Sequence, residues 1–145
     1  MIVHTVEIAR SPADVFAYLD QLDRHGEWQP AIQEVTKVSE GPTGVGTKAT
    51  ERRKLPGGER EMTYEITEHD PPRRTAFRGL DGPVRPVGVV TVEPLDGGAR
   101  SSVTIQFSLE GHGIGKLIAP FARMDAKRTI TKDQELLKER LEAGA

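Results

Sequence analysis

The amino-acid sequence predicts an α+β protein: an antiparallel sheet of about seven strands, two short helices after the first strand, and one long C-terminal helix. Short segments of alternating polar and apolar residues, separated by glycine- and proline-rich turns, are typical of antiparallel strands. After Gly115 the chain runs to residue 143 without a glycine and with only one proline, Pro120. Such a segment favours a helix.

The first strand and first helix have clear local signals. Residues 2–8 alternate, which places Ile2, His4, Val6 and Ile8 on one face of a strand. The sequence Ser-Pro-Ala-Asp at 11–14 then predicts a helix start. Serine caps well, proline suits the first helical position, and the helix dipole stabilises an acidic side chain in the first turn. We expect a second short helical turn between Gly26 and Pro30, carrying Trp28.

The middle of the chain predicts a meander of strands. We place six strands at about 32–39, 46–54, 60–69, 73–79, 86–95 and 100–110. The turns between them are rich in Gly, Pro and Asp, at 41–44, 56–58, 70–72, 81–83 and 96–98. Short turns between consecutive strands predict antiparallel pairing.

The C-terminal segment is predicted to pack one helical stripe on the sheet. We expect a short turn near 114–118 and then the main helix, because Pro120 is tolerated only in a first turn. The predicted inward stripe carries apolar residues at both ends and two polar residues between them: Leu117, Phe121, Met124, Arg128, Thr131, Leu137 and Leu141. An inward Arg128 requires solvent, a carboxylate partner or a polar part of a cavity, since an unpaired buried charge is costly.

Composition limits the function classes. A chain of 145 residues fits one domain, residues 1–145. Its net charge of −2 gives no reason to expect a nucleic-acid partner, and it has no apolar run of membrane-spanning length. No signal peptide is visible at the N-terminus, so we expect a cytoplasmic location. With no cysteine, the chain has no disulfide, thiolate nucleophile or cysteine-zinc site.

Common catalytic motifs do not occur in usable form. The glycine-rich segment 41–48 ends Gly-Thr-Lys rather than Gly-Lys-Thr and precedes a predicted strand, so it is read as a turn and not as a phosphate loop. None of His4, His25, His69 and His112 forms a close pair at metal-ligand spacing. We therefore expect no metal and no cofactor. His4 is notable because it shares the predicted inner face of the first strand.

Several segments together resemble a known family. The matching segments are 11–16, Trp28-Gln29-Pro30, 44–47, 70–74 and 137–142. In order and motif the whole chain resembles the START-like, or SRPBCC, superfamily, within its polyketide cyclase/dehydrase-type branch. The resemblance implies a helix-grip fold, in which a curved sheet wraps the C-terminal helix and leaves a small-molecule cavity between them. It does not imply a particular reaction.

Candidate site residues follow from the predicted inward faces. For ligand binding we select the aromatic, methionine and polar residues expected to line the cavity: Trp28, Met62, Tyr64, Phe77, Phe107, Phe121, Met124 and Arg128. If the protein is an enzyme, His4 or Tyr64 is the acid/base group and Arg128 the partner of an enolate oxygen. The sequence does not decide which side chains of the middle strands face the cavity, and in particular which of Glu51 and Arg52 points inward.

Three functions remain open. The first is binding of a hydrophobic or aromatic small molecule, lipids included, in the cavity, by a monomer or homodimer without membrane insertion. The second is a polyketide cyclase/aromatase or dehydratase that uses the same cavity to fix a poly-carbonyl chain in one shape. The third is a protein-interaction role carried by the sheet surface.

Overall fold

The chain folds as an antiparallel sheet with one long helix packed against it. The structure, a computed structural model, describes residues 1–55 and 57–145. Within these residues the strands are β1 (Ile2–Ile8), β2 (Ile32–Lys37), β3 (Lys48–Leu55), β4 (Gly58–Asp70), β5 (Arg74–Gly79), β6 (Val84–Leu95) and β7 (Arg100–Gly111). The α-helices are α1 (Pro12–Leu19) and α2 (Gly115–Glu142), and a 3₁₀ helix follows α1 at Leu22–Glu27.

The seven strands of the described chain form one curved sheet in the order β1-β7-β6-β5-β4-β3-β2. All neighbours are antiparallel, and five of the six pairs join strands consecutive in sequence. The predicted helix-grip architecture is confirmed, and each predicted strand overlaps an observed one. The predicted turn at 56–58 includes Pro56, which lies outside the described residues; Gly57 next to it has a φ of 91°.

α1 begins as its sequence predicts. The Ser11 hydroxyl accepts a hydrogen bond from the Asp14 backbone N–H over 3.2 Å, and Pro12 occupies the first turn. Val15 and Phe16 are buried in the core. The second short helix differs from the prediction: it spans Leu22–Glu27 and ends before Trp28, because the chain turns toward β2 there.

The apolar core has two parts. The first packs α1 and the C-terminal half of α2 on β1, β6 and β7, and it contains Val6, Ile8, Val15, Phe16, Tyr18, Leu19, Val92, Val103, Leu137 and Leu141. The second lies under β3, β4 and β5 and contains Leu22, Ala49, Tyr64 and Ile66. The two parts are separate clusters of buried residues.

α2 is a single helix, and two expectations about it are wrong. Pro120 lies in its second turn rather than its first, at an exposed position. The cost is limited because Pro120 forgoes only the bond to the Lys116 carbonyl, near the helix start. The buried positions are Gly115, Ala119, Ile130, Asp133, Gln134, Leu137 and Leu141. Leu137 and Leu141 are inward as predicted, but the residues from Leu117 to Thr131 on the predicted stripe face solvent.

Candidate functional site

One face of the sheet looks toward α2 and is called here the inner face. It carries His4 on β1, Glu51 on β3, Tyr64 on β4, Phe77 on β5 and Phe107 on β7. Its orientation is fixed at β1, where Val6 and Ile8 share a core cluster with Leu137 of α2. Residues paired directly across antiparallel strands point to the same side, so the register carries that orientation from strand to strand.

α2 packs mainly on β1, β7 and β6. α2 therefore covers the inner face of β3, β4 and β5 less than it covers β1, β6 and β7. Met62 and Phe77 are only half-buried there. Phe107 on β7 is also half-buried. These three side chains and Tyr64 form an apolar patch on the inner face beside α2, and we call the space over this patch the cleft.

Phe77 owes its position in the cleft to a glycine. A Cβ atom built on Gly88 of β6 would lie 2.4 Å from Cε1 of Phe77. Any larger residue at 88 therefore displaces the ring. The Phe77 ring also meets Tyr64 edge to face, with ring centroids 5.8 Å apart, a favourable geometry for an aromatic pair.

An ion pair between buried Glu51 and half-buried Arg53 forms the polar end of the cleft. The Arg53 guanidinium donates from Nε to Glu51 Oε1 over 3.2 Å and from Nη2 to Gln29 Oε1 over 2.6 Å. Glu51 is 7% exposed. Arg52 lies on the opposite face of β3, paired with Glu34 at 3.2 Å. The structure thus decides the orientation that the sequence left open: Glu51 points inward, and Arg52 does not.

Asp133 brings a second carboxyl to this end from α2. Burial raises its pKa from 3.8 to about 6, and the positive charge of Arg53 offsets part of that effect. Asp133 is 8% exposed. No cation of the described residues lies within 4 Å of its carboxylate. A carboxyl that is near its pKa at neutral pH is suited to proton transfer.

The Tyr64 hydroxyl is buried without a partner. The whole residue is 5% exposed, and the hydroxyl has no hydrogen-bond partner among residues 1–55 and 57–145. Burial, together with the negative charge of Glu51, raises its pKa. Tyr64 therefore keeps its proton and remains a hydrogen-bond donor in the protein interior.

His25 and Trp28 lie near the same polar end. Nε2 of His25 donates to the Leu19 carbonyl over 2.7 Å, and its ring centroid is 5.3 Å from that of Trp28. Burial is the main cause that lowers the His25 pKa, so the ring is neutral at pH 7. The Trp28 indole Nε1 is buried, and none of the described residues accepts its hydrogen bond.

His4 faces inward as predicted. Its Nδ1 forms a hydrogen bond with Oε1 of Gln134 on α2, which ties β1 to the helix. The prediction for α2 itself was wrong at three site residues. Phe121 is 74% exposed, Met124 is 75% exposed, and Arg128 pairs on the surface with Asp125 at 3.1 Å. They lie on the side of the helix away from the sheet.

The helical period explains the error and shows which signal was missed. Leu137 follows Thr131 at a spacing of six residues. That spacing is not a helical repeat, so the predicted stripe joined two different sides of α2. Counting back from Leu137 in steps of three and four leads to Asp133, Gln134 and Ile130, all of them buried. On β3, where side chains alternate between the two faces of the sheet, the spacing of two residues assigns Arg53 to the face of Glu51.

Other features of the surface lie apart from the cleft. A depression of about 430 Å³ borders α1 and the β4–β5 turn, and another of about 400 Å³ lies on the outer face near Arg78, Arg85 and His112. Across 1–55 and 57–145, no helix is long and apolar enough to cross a membrane. The same residues contain no group of three or more metal-ligating side chains.

Comparison with known proteins places the chain in a family. The family model described as polyketide cyclase / dehydrase and lipid transport matches residues 2–142. An uncharacterized protein of Mycobacterium tuberculosis is 23% identical over 137 residues, which is 91% of this chain and 94% of that protein.

Solved structures share the fold. The Zhui aromatase/cyclase from Streptomyces sp. R1128 superposes with a TM-score of 0.79 at 19% identity, over 97% of this chain and 92% of that one. A START superfamily protein from Mycobacterium smegmatis gives 0.75 at 14% identity, over 97% of each chain. At these identities the likeness concerns the fold. The resemblance to the START-like superfamily is confirmed, and the chain belongs to the polyketide cyclase / dehydrase and lipid transport family.

Proposed function

We propose that this protein binds a hydrophobic or aromatic small molecule in the cleft between the sheet and α2. The observation that carries the proposal is the buried Tyr64 hydroxyl, a donor that none of the described residues satisfies. Leaving such a group unpaired costs on the order of 1–3 kcal/mol. A ligand oxygen that accepts this hydrogen bond recovers that cost, and family membership supports a ligand-binding or cyclase role.

The surroundings of Tyr64 define the ligand further. Met62, Phe77 and Phe107 offer apolar contact for a flat or elongated body. The polar end already holds one cation and two carboxyls, at Arg53, Glu51 and Asp133. A neutral carbonyl or hydroxyl group suits this end better than a carboxylate, because a third negative charge would be repelled.

Native mass spectrometry of the purified protein tests binding directly. We expect complexes with members of a panel of flavonoids, neutral lipids and polyketide mimics. The Phe77→Ala variant should bind the best ligand about tenfold or more weakly, because it removes the Phe77 ring from the apolar patch. Phe121→Ala is the matched control, since Phe121 is exposed and outside the cleft. If no member of the panel binds, or if Phe77→Ala binds as tightly as wild type, the proposal is wrong.

A second candidate function is a cyclase or dehydratase that uses the same cleft. Asp133 favours it, because a buried carboxyl with a pKa of about 6 can exchange a proton near neutral pH. In that case Asp133 acts as acid/base and Tyr64 donates to a developing enolate oxygen. His4 stays a candidate on the inner face, although it is engaged with Gln134. Arg128 drops out because its side chain is on the surface.

Turnover of a poly-carbonyl substrate mimic separates the two functions. An enzyme should lose turnover in Asp133→Asn while still binding the mimic, whereas Arg128→Ala should keep both. A protein that binds the mimic without converting it is a binding protein. Turnover that survives Asp133→Asn contradicts the role given to Asp133.

A further inference from the structure

The N-terminal half of α2 carries large apolar side chains that nothing in the described chain covers. Ile114, Leu117, Phe121 and Met124 are between 69% and 75% exposed. Their spacing of three and four residues places them along one side of the helix. We call these four residues the exposed stripe. Contiguous apolar surface of this kind marks an interaction site more often than isolated exposed residues do.

Positive charge is concentrated around the exposed stripe. From residue 114 to 132 the chain has five basic residues and one acidic residue, a net charge of +4, although the whole chain carries −2. The basic residues are Lys116, Arg123, Lys127, Arg128 and Lys132. At 100° per residue, Lys116 and Lys127 follow one flank of the stripe, and Arg128 and Lys132 continue beyond Met124. Arg123 instead turns toward the sheet and donates from Nη2 to the Leu109 carbonyl over 3.0 Å. The one acid, Asp125, is paired with Arg128.

From these two features we propose that the exposed stripe docks on an anionic lipid bilayer surface. An apolar helix side bordered by lysine and arginine lies in the interface, with the apolar groups among the acyl chains and the basic groups at the anionic headgroups. The opposite side of α2 stays on the sheet through Ala119, Ile130 and Leu137, so docking does not require the helix to detach. This is surface docking, without a membrane-spanning segment.

Charge complementarity favours a lipid surface over a second copy of the chain. In a two-fold dimer the stripe of one protomer would meet the stripe of the other, and the same basic residues would face one another. That arrangement is repulsive, whereas an anionic headgroup layer neutralises Lys116, Lys127 and Lys132, which have no acidic partner among the described residues, while Arg128 is paired with Asp125. Charge and exposed apolar area thus favour the same occupant.

Vesicle flotation of the full chain tests the proposal. We expect the protein to float with vesicles of phosphatidylcholine and phosphatidylserine, and not with phosphatidylcholine alone. The combined variant Leu117→Gln, Phe121→Gln and Met124→Gln should lose binding. Lys116→Gln with Lys127→Gln should bind about 30-fold more weakly, because each basic residue near the surface contributes about 1 kcal/mol.

The control removes the same charge elsewhere. Lys48→Gln with Lys54→Gln alters two exposed lysines of β3 and should bind the vesicles as wild type does. The proposal is overturned if the wild type does not float with the phosphatidylserine vesicles, or if the glutamine variant of the stripe floats equally well. It is also overturned if the wild type is a stable dimer that this variant converts to a monomer. Ligand binding in the cleft is measured separately, so either proposal can fail alone.

Discussion

Arg53 and Glu51 lie two residues apart on β3 and form an ion pair on the inner face of the sheet, with 3.2 Å between Nε and Oε1. The side chain of Glu51 is 9% exposed and that of Arg53 is 23% exposed. Gln29 accepts a second hydrogen bond from the same guanidinium, which links β3 to the segment before β2. This pair forms the polar end of the cleft.

Loss of the Arg53 charge should destabilise the fold. In Arg53→Met, Glu51 remains buried without its cation, and we expect the free energy of unfolding to fall by about 2 kcal/mol, less than for a fully buried pair because Arg53 has some solvent contact. Arg52→Met is the control, since Arg52 pairs with exposed Glu34 on the outer face; it should cost less than about 1 kcal/mol. Urea unfolding measures both. Equal losses would contradict the assignment of Glu51 and Arg53 to the interior.

Asp133 should make stability depend on pH. Its pKa is about 6 in the folded protein and 3.8 as its ordinary value, so between these values the folded state binds more protons than the unfolded state. Stability from this group is therefore present below about pH 4 and is lost as pH rises through about 6. Asp133→Asn should unfold at a higher temperature than wild type at pH 7.5, with the difference shrinking toward pH 4.

Thermal unfolding across this pH range measures the effect. Glu135→Gln provides the control, because it removes an exposed carboxyl from the same helix. A constant difference between Asp133→Asn and wild type from pH 4 to pH 7.5 would mean that the Asp133 carboxyl is not destabilised by burial.

The two buried tyrosines should respond to loss of the hydroxyl with opposite signs. Tyr64→Phe removes a donor that has no partner among the described residues, so we expect the ligand-free protein to gain about 1 kcal/mol. Tyr18→Phe should lose about 1–2 kcal/mol, because the Tyr18 hydroxyl donates to Glu27 over 2.9 Å. Denaturant titration compares the two variants. A clear loss in Tyr64→Phe would show that its hydroxyl is satisfied in the free protein.

Alanine substitutions at two leucines of α2 should have different effects on stability, because one leucine lies on the buried side of the helix and the other on the exposed side. Leu137 is 1% exposed and lies in the core with α1 and β1, so Leu137→Ala should cost about 2–5 kcal/mol. Leu117 is 75% exposed, and Leu117→Ala should change stability by less than about 0.5 kcal/mol. The free energies of unfolding of the two variants give the comparison. A large loss in Leu117→Ala would mean that the N-terminal half of α2 packs against other parts of the chain in solution.

Local rules predicted the elements of this fold well. Alternation placed β1 at its observed bounds, and the cap at Ser11 set the start of α1, because both signals depend on neighbours a few residues away. The predicted inward position of His4 also held, since the side-chain period of a strand is two. The family resemblance supplied the helix-grip arrangement, which no local pattern specifies.

By itself the sequence determined the element order, the antiparallel meander and the inward face of β1. Tertiary structure decided the rest of the cleft. The side of α2 that meets the sheet depends on where the helix docks, and the apolar residues on both sides of its N-terminal half do not specify that. Docking turned Asp133 inward and Arg128 outward, and the pairing of β3 brought Glu51 and Arg53 beneath Gln29. The polar end of the cleft therefore arises from residues far apart in sequence, whose burial follows from the packing of helix on sheet.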